Sequence, residues 1–268
     1  MKTSKKEFVM KILCFVLATM VGCAVNPAGR LSIDSDALAA QEFMVSTVLI
    51  ETKVTYDVLR QDPETKDWSI VSRGETAGSR GTGFVIKVND KNNTSIVMTA
   101  NHVGGTPVVG DIDKAAVEGE NIIAIVTNVN HTVKGVGGEK CNARSILSGD
   151  KSTKDVALMK VDCVIGEPVK FAKNMPPIGA IVATSGAPNG IKPILGFYVL
   201  DGRFIGYSSD GYILLTIPVI GGASGSAVFY HGMVVCMIVR VVSDFNHQSS
   251  AIDLPTLLDF MSRMPKDS

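Results

Sequence analysis

The chain has no surplus of either charge: 26 Lys and Arg stand against 26 Asp and Glu in 268 residues. A nucleic-acid surface needs a basic excess or patch, so no such partner is expected. Zinc motifs are also missing, because neither Cys-x-x-Cys nor His-x-x-x-His spacing occurs. No internal repeat or low-complexity segment stands out. Charged residues make up only 19%, against 46% hydrophobic, which excludes a disordered chain and leaves a globular one. Histidine is scarce, at four residues, so few side chains are available as a base near neutral pH.

Long apolar runs are confined to the N-terminus. "MKTSKKEFVMK" carries Lys2, Lys5, Lys6 and Lys11, "ILCFVLATMV" is apolar throughout, and "GCA" supplies small residues. This is the pattern of a secretory signal over residues 1–23. The run is shorter than the roughly 20 residues that a membrane-spanning helix needs; an uncleaved anchor is the alternative. "TMVGC" also resembles a bacterial lipobox, with Cys23 as the lipidated residue and Met20 where such motifs usually carry Leu. Lipidation of Cys23 and ordinary cleavage after Ala24 both stay open. Either route expects an exported protein, periplasmic or extracellular, and lipidation would add a membrane tether. Of the remaining cysteines, Cys141 and Cys163 are able to pair after export, with Cys236 left over, but spacing alone does not fix a pairing.

What the chain has in quantity is glycine (26 residues), Val and Ile, which favour many short strands and turns. Residues 24–44 read as a tether. From residue 45 onward, strand candidates come one after another: "VSTVLIETKVTYDVL", "WSIVSRGETAGSRGTGFVIKV", "TSIVMTA", "NIIAIVTNVN", "ARSIL" and "DVALMKVDCVI" in one run. "GAIVATSG", the limbs around Ser208–Gly211, and a hairpin turning at His231–Gly232 make a second. The runs split near residues 165–178. The convincing helix is terminal: "DLPTLLDFMSRM" has Leu254, Leu257, Leu258 and Met261 at helical spacing and Asp253 as its cap. Barrels or a sandwich are expected, and two barrels would place a site in the cleft between them.

One stretch asks for chemistry. "IGGASGSAVF" sets two glycines, Ala223, Ser224, Gly225 and Ser226 directly before an apolar strand. A Gly/Ser surface turn is the plain reading. The other is a nucleophile at Ser224, with the N–H groups of Gly222 and Ser224 aimed at one spot. A serine needs a base, and the base needs an orienting acid. His131, His231 and His247 sit in polar, turn-like contexts and read as solvated. His102 closes the strand "SIVMTANHV", a rigid platform for a side chain, although a core histidine is equally compatible with it. Asp155 leads "DVALMKV", where a carboxylate can receive an imidazole N–H, or else serve as a strand-edge charge. Asp150 and Asp162 are its rivals.

The order His102, Asp155, Ser224 and its flanks resemble the chymotrypsin-fold serine proteases, and most closely the HtrA/Deg-type branch. The likeness is carried by "GTGFVI", "VMTANHV", "KDVALMKV", "PPIGAIVATSGAPNG", "TIPVIGGASGSAVF" and "SSAIDLPTLLDFM", over about residues 45–262. It implies an all-β fold of two six-stranded antiparallel barrels with a C-terminal helix, residues 45–268 forming the protease domain. By the same likeness Ser224 is the nucleophile, His102 the base and then acid, Asp155 the orienter, and Gly222 and Ser224 the oxyanion hole. Peptide or protein is the implied substrate, with no metal or cofactor. Ala223 stands where many relatives have Asp or Asn, so activation by a freed N-terminus is not expected. With the chain ending soon after the helix, the PDZ domain of that branch is not expected. By family position Pro218, Cys236, Met237, Ile238 and Val239 line the pocket for the residue before the cleaved bond. No acid stands at Pro218, so a small or apolar residue is expected there, while Arg240 would favour an acidic one. The competing classes are an inactive relative that binds peptides in the cleft and an esterase. The esterase is disfavoured because Ser224 precedes a strand and not a helix.

Overall fold

The computed structural model describes residues 43–105, 112–117, 120–149, 155–187, 197–242 and 248–265. The signal, the tether up to residue 42 and Cys23 lie outside these, as do Asp150 and His247. Among the described residues no helix is long and apolar enough to cross a membrane.

A 3-10 turn at Phe43–Ser46 leads into β1 (Thr47–Gln61). β1 pairs antiparallel with β2 (Trp68–Asn89) on one side and with β5 (Glu120–Lys134) on the other. β3 (Thr94–Thr99), β7 (Ala157–Val161) and β6 (Lys140–Ser148) complete the order β1-β2-β3-β7-β6-β5, and the β1–β5 pairing closes it. β4 (Ile112–Val117) is an added strand on β5. The second barrel is β10 (Ile213–Leu215), β13 (Ser249–Asp253), β12 (Met233–Val241), β11 (Ala227–Tyr230), β8 (Ile181–Gly186) and β9 (Tyr198–Tyr207), closed in that order. The fold is therefore the expected one, two six-stranded antiparallel barrels with a C-terminal helix.

Burial explains the strand sequences. Ile96–Met98 in β3 and Ala157–Met159 in β7 are buried as continuous runs, which fits strands covered on both faces by a barrel interior and a neighbouring layer. β2 is different along its length. Its first limb, from Trp68 to Arg80, is nearly all exposed and forms an arm with β1, whereas Gly81–Val85 is buried. One apolar cluster joins Phe84, Met98 and Leu158 of the first barrel to Phe229, Met237, Leu257 and Phe260 of the second. The barrels thus share a core across their interface, within one compact unit.

The ends of two elements are set by local hydrogen bonds. β3 ends in a one-turn helix, α1 (Asn101–Gly104), which carries His102 just beyond the strand. The extended Ala100 carbonyl accepts from both Val103 N–H (3.0 Å) and Gly104 N–H (3.1 Å), so the chain coils as soon as it leaves the sheet. Near the C-terminus, Asp253 caps α2 (Leu254–Ser262), its carboxylate accepting from Thr256 N–H at 3.2 Å, as the sequence anticipates. Cys141 and Cys163 form a disulfide between the start of β6 and the segment after β7. Cys236 is free and buried, and burial pushes its thiol well above the ordinary range.

Candidate active site

The register of β3 and β7 brings the base and the acid together. Thr99 pairs with Ala157, so the C-terminal end of β3 lies beside the N-terminal end of β7. His102 stands three residues past Thr99, turned back by α1, and Asp155 stands two residues before Ala157. Both oxygens of Asp155 are used: Oδ1 accepts from His102 backbone N–H at 3.0 Å, and Oδ2 meets ring Nδ1 at 2.7 Å. A carboxylate only accepts, so Nδ1 carries a proton, and in the neutral ring Nε2 keeps its lone pair. The Asp155 side chain is 14% exposed and that of His102 is 41% exposed, so the acid is shielded while the ring stays open to a reactant. Asp162 is exposed and follows its strand instead of leading it.

Ser224 lies in the loop between β10 and β11, half-buried. Ala223 N–H donates to Ile220 C=O at 3.1 Å, which closes a turn over Ile220–Ala223. Its third residue, Gly222, has φ +91°, the left-handed value that a type II turn requires there and that glycine adopts without strain. Gly225 is at φ +87°, and a Cβ on it would stand 2.0 Å from Thr82 O and 2.3 Å from Thr99 Oγ1. A side chain at 225 is excluded both by backbone conformation and by contact with the first barrel. Among the described residues, the N–H groups of Gly222 and Ser224 have no hydrogen-bond acceptor.

The structure does not join Ser224 to His102 by a hydrogen bond. Ser224 Oγ donates to Val239 C=O at 3.2 Å. Val239 is the bulged residue of β12, at the register shift between Ile238 and Arg240. A bulge takes a residue out of the ladder, and here its carbonyl is turned to the serine. Of the residues placed in the specificity pocket by likeness, Pro218 is exposed. Met237, Ile238 and Val239 are buried, Met237 and Val239 in the shared core and Ile238 in that of the second barrel. Arg240 is engaged: its guanidinium reaches Asp210 at 2.7 Å and stacks 4.1 Å from the Tyr212 ring centroid. The Asp210 carboxyl is held low by its hydrogen bond from Ser208 and then by Arg240.

A groove of about 730 Å³ adjoins the Gly221–Gly222 turn and is lined also by Glu51, Lys53, Arg80 and Thr132, without reaching His102 or Ser224. Glu51 is held below the usual carboxylate range by the hydrogen bond from Lys134, 2.5 Å away.

The histidine expectations divide. His231 is exposed at the β11–β12 turn. His131 corrects the reading of a solvated turn: it sits within β5, 5% exposed, with Nδ1 2.9 Å from Thr52 Oγ1. Thr52 gives its own proton to Val103 C=O at 2.9 Å, so His131 donates to Thr52. The polar flanks of "VNHTV" are strand residues on the outward face; its alternation with Val129 and Val133 was the available signal. Thr82, noticed only as part of "GTGFVI", also proves central, through four hydrogen bonds that run to both sides of the site. No local pattern marks it, because its partners come from distant segments. Among the described residues no group of three His, Cys, Asp or Glu side chains is placed to hold a metal ion.

Comparison with known proteins agrees with this geometry. The family model described as trypsin-like peptidase domain matches residues 81–236, more than half of the chain. No curated protein matches in sequence. Among solved structures, an inactive form of Rv3671c from M. tuberculosis H37Rv, carrying a serine-to-alanine change, is 18% identical, with TM-score 0.55 over 90% of this chain and 97% of that one. A second inactive form, of the Rv3671c protease, is also 18% identical, with TM-score 0.55 over 88% and 96% of the two chains. The serine endoprotease from Yersinia pestis is 14% identical, with TM-score 0.58 over 87% of this chain and 67% of that one. At such identities these structures share the fold with this chain. The barrels, the paired His102 and Asp155, and the match of the family model together establish that the chain belongs to the trypsin-like peptidase domain family.

Proposed function

We propose that the protein is an exported serine endopeptidase that hydrolyses peptide bonds through an acyl-enzyme. The observation that carries the reading is the two-point grip of Asp155 on His102, which places the ring proton of the neutral imidazole on Nδ1 and leaves Nε2 as the nitrogen able to act as a base. In the proposed cycle the Ser224 hydroxyl rotates from Val239 C=O to His102 Nε2. A substrate N–H that takes over the Val239 carbonyl would release it. Nε2 accepts the hydroxyl proton as Oγ bonds to the scissile carbonyl carbon, and Asp155 stabilises the imidazolium. The carbonyl oxygen, now negative, receives the free N–H groups of Gly222 and Ser224. His102 then gives its proton to the leaving amine as the C–N bond breaks. Water, deprotonated by Nε2, attacks the ester, and the proton returns to Ser224 as the acid leaves.

Within the family, the reading nearest the HtrA/Deg-type branch is supported by the sequence motifs around these residues alone. The residue before the cleaved bond is small or apolar, since Pro218 offers no acid to a Lys or Arg. Export rests on the N-terminal signal and is supported by the Cys141–Cys163 disulfide, a bond typical of oxidising compartments. Cys23 is the candidate site for a lipid tether.

Cleavage of a random peptide library by the full chain tests the reading. The expected result is cuts after small or apolar residues, lost on Ser224→Ala by a factor on the order of 10⁴ or more. Cuts dominated by Lys or Arg would overturn the specificity. One observation favours the second reading, an inactive peptide-binding relative: the Ser224 hydroxyl rests on Val239 and not on His102. That reading expects library peptides to bind without being cut.

A further inference from the structure

We propose that Thr82 is the positioning residue of the oxyanion turn, the side chain through which the first barrel sets the direction of the Gly222 and Ser224 N–H groups. The proposal rests on the peptidase reading above and adds a residue to it.

Thr82 is fully buried on β2, where that strand passes from its exposed arm into the barrel. Its hydroxyl has one proton, which it gives to Gly222 C=O at 2.8 Å, and it accepts Ala187 N–H at 3.0 Å. Its backbone N–H donates to Ser224 C=O at 2.9 Å, and its carbonyl accepts from Thr99 Oγ1 at 2.6 Å. Ser224 and Gly222 belong to the second barrel. Thr99 closes the strand that carries His102. One residue therefore touches the backbone of both oxyanion donors and the end of the strand that bears the base.

The direction of the Gly222 N–H comes from this. The peptide between Gly222 and Ala223 is planar, so fixing its two polar ends fixes the plane. Thr82 Oγ1 holds the carbonyl end, and Ile220 C=O holds the Ala223 N–H end. Once that plane is set, the direction of the Gly222 N–H depends only on the two rotations at Gly222 itself, ψ and a φ that stands at +91°. Without the hydroxyl, the successive glycines Gly221 and Gly222 offer little steric resistance to rotation of the peptide between them. The first barrel would then no longer hold a donor that works only when pre-aimed.

Thr82→Val keeps the side chain's shape and removes the hydroxyl; Thr82→Ser keeps the hydroxyl. Loss of a whole oxyanion donor costs roughly 10²–10³ in kcat, so misaiming one is expected to cost about 10–100-fold in Thr82→Val. KM should move by less than about threefold, since the groups that change act on the transition state. Thr82→Ser should retain most of kcat. A merely structural role predicts no such split and no rescue by Ser. Unchanged kcat in Thr82→Val, or an equal loss in Thr82→Ser, overturns the proposal. Amide hydrogen exchange over Gly222–Ser224 in the resting protein supplies a readout that needs no turnover. It should quicken in Thr82→Val and not in Thr82→Ser, and unchanged exchange in Thr82→Val overturns the proposal. If the wild-type chain cuts no peptide, the peptidase reading fails by itself, and exchange still decides whether Thr82 holds the turn.

Discussion

His131 and His102 are both imidazoles bonded through Nδ1, yet their surroundings give them opposite tasks. His102 gives its Nδ1 proton to a carboxylate in a hydrogen bond, and its side chain is open to a reactant. His131 faces a hydroxyl, is buried, and has its pKa lowered by that burial from an ordinary 6.5. Its neutral form is built into the fold, because protonation would leave a charge in an apolar setting. Below about pH 6.5 the unfolded chain takes up a proton at this residue that the folded chain refuses. The stability it supports is therefore complete above that pH and is lost as pH falls toward the lowered folded value. Urea unfolding at pH 7.5 and 5.5 should show wild type losing stability on acidification by at most about 1.4 kcal/mol per pH unit from this residue, and His131→Gln showing a flatter profile. Equal profiles would mean that His131 titrates as freely in the folded chain as in the unfolded one. Val103 C=O, which accepts from Thr52 in the same chain of hydrogen bonds, is next to His102, so the neutral imidazole also buttresses the turn that carries the base.

At the scale of elements, the β3–β7 pairing does the assembling and the disulfide closes the neighbouring edge. Cys141 lies at the start of β6 and Cys163 comes just after β7, so the bond fastens the acid's own strand to its neighbour. The bridged cysteines are 22 residues apart in sequence. A closed loop of that size restricts the unfolded chain by about 3 kcal/mol. Cys141→Ala with Cys163→Ala should lower the unfolding free energy by about that amount in denaturant titrations, and no change would show that the reduced chain is already constrained. Much at this scale was legible. β-branched runs bounded by Gly, Asn and Asp gave nearly every strand to within a few residues, and Asp253 marked its helix because capping is local chemistry. β4 and α1 were not legible. β4 is short and exists as an addition to β5, and α1 is set by the Ala100 carbonyl at a strand end, which no periodicity records.

At the scale of the molecule, catalysis would depend on two barrels holding each other at one place. The shared apolar cluster presses them together, and Gly225 lets the serine loop lie against Thr82 and Thr99 without a side chain between. The candidate residues His102, Asp155 and Ser224 were legible because each sits at a strand boundary with a recognisable flank. Thr82 and the Val239 bulge were not, because their parts are played by backbone groups and a hydroxyl whose partners are far away in sequence: Thr82 is 140 residues from Gly222. The proposed chemistry requires that His102 activate Ser224 once the hydroxyl leaves Val239. Intact-protein mass spectrometry after exposure to a fluorophosphonate probes that step, with the modified residue located by peptide mapping. One adduct is expected, on Ser224, absent from Ser224→Ala and strongly slowed in His102→Ala. A folded wild-type protein that takes up no reagent, or an adduct that persists in Ser224→Ala, would show that His102 does not activate Ser224.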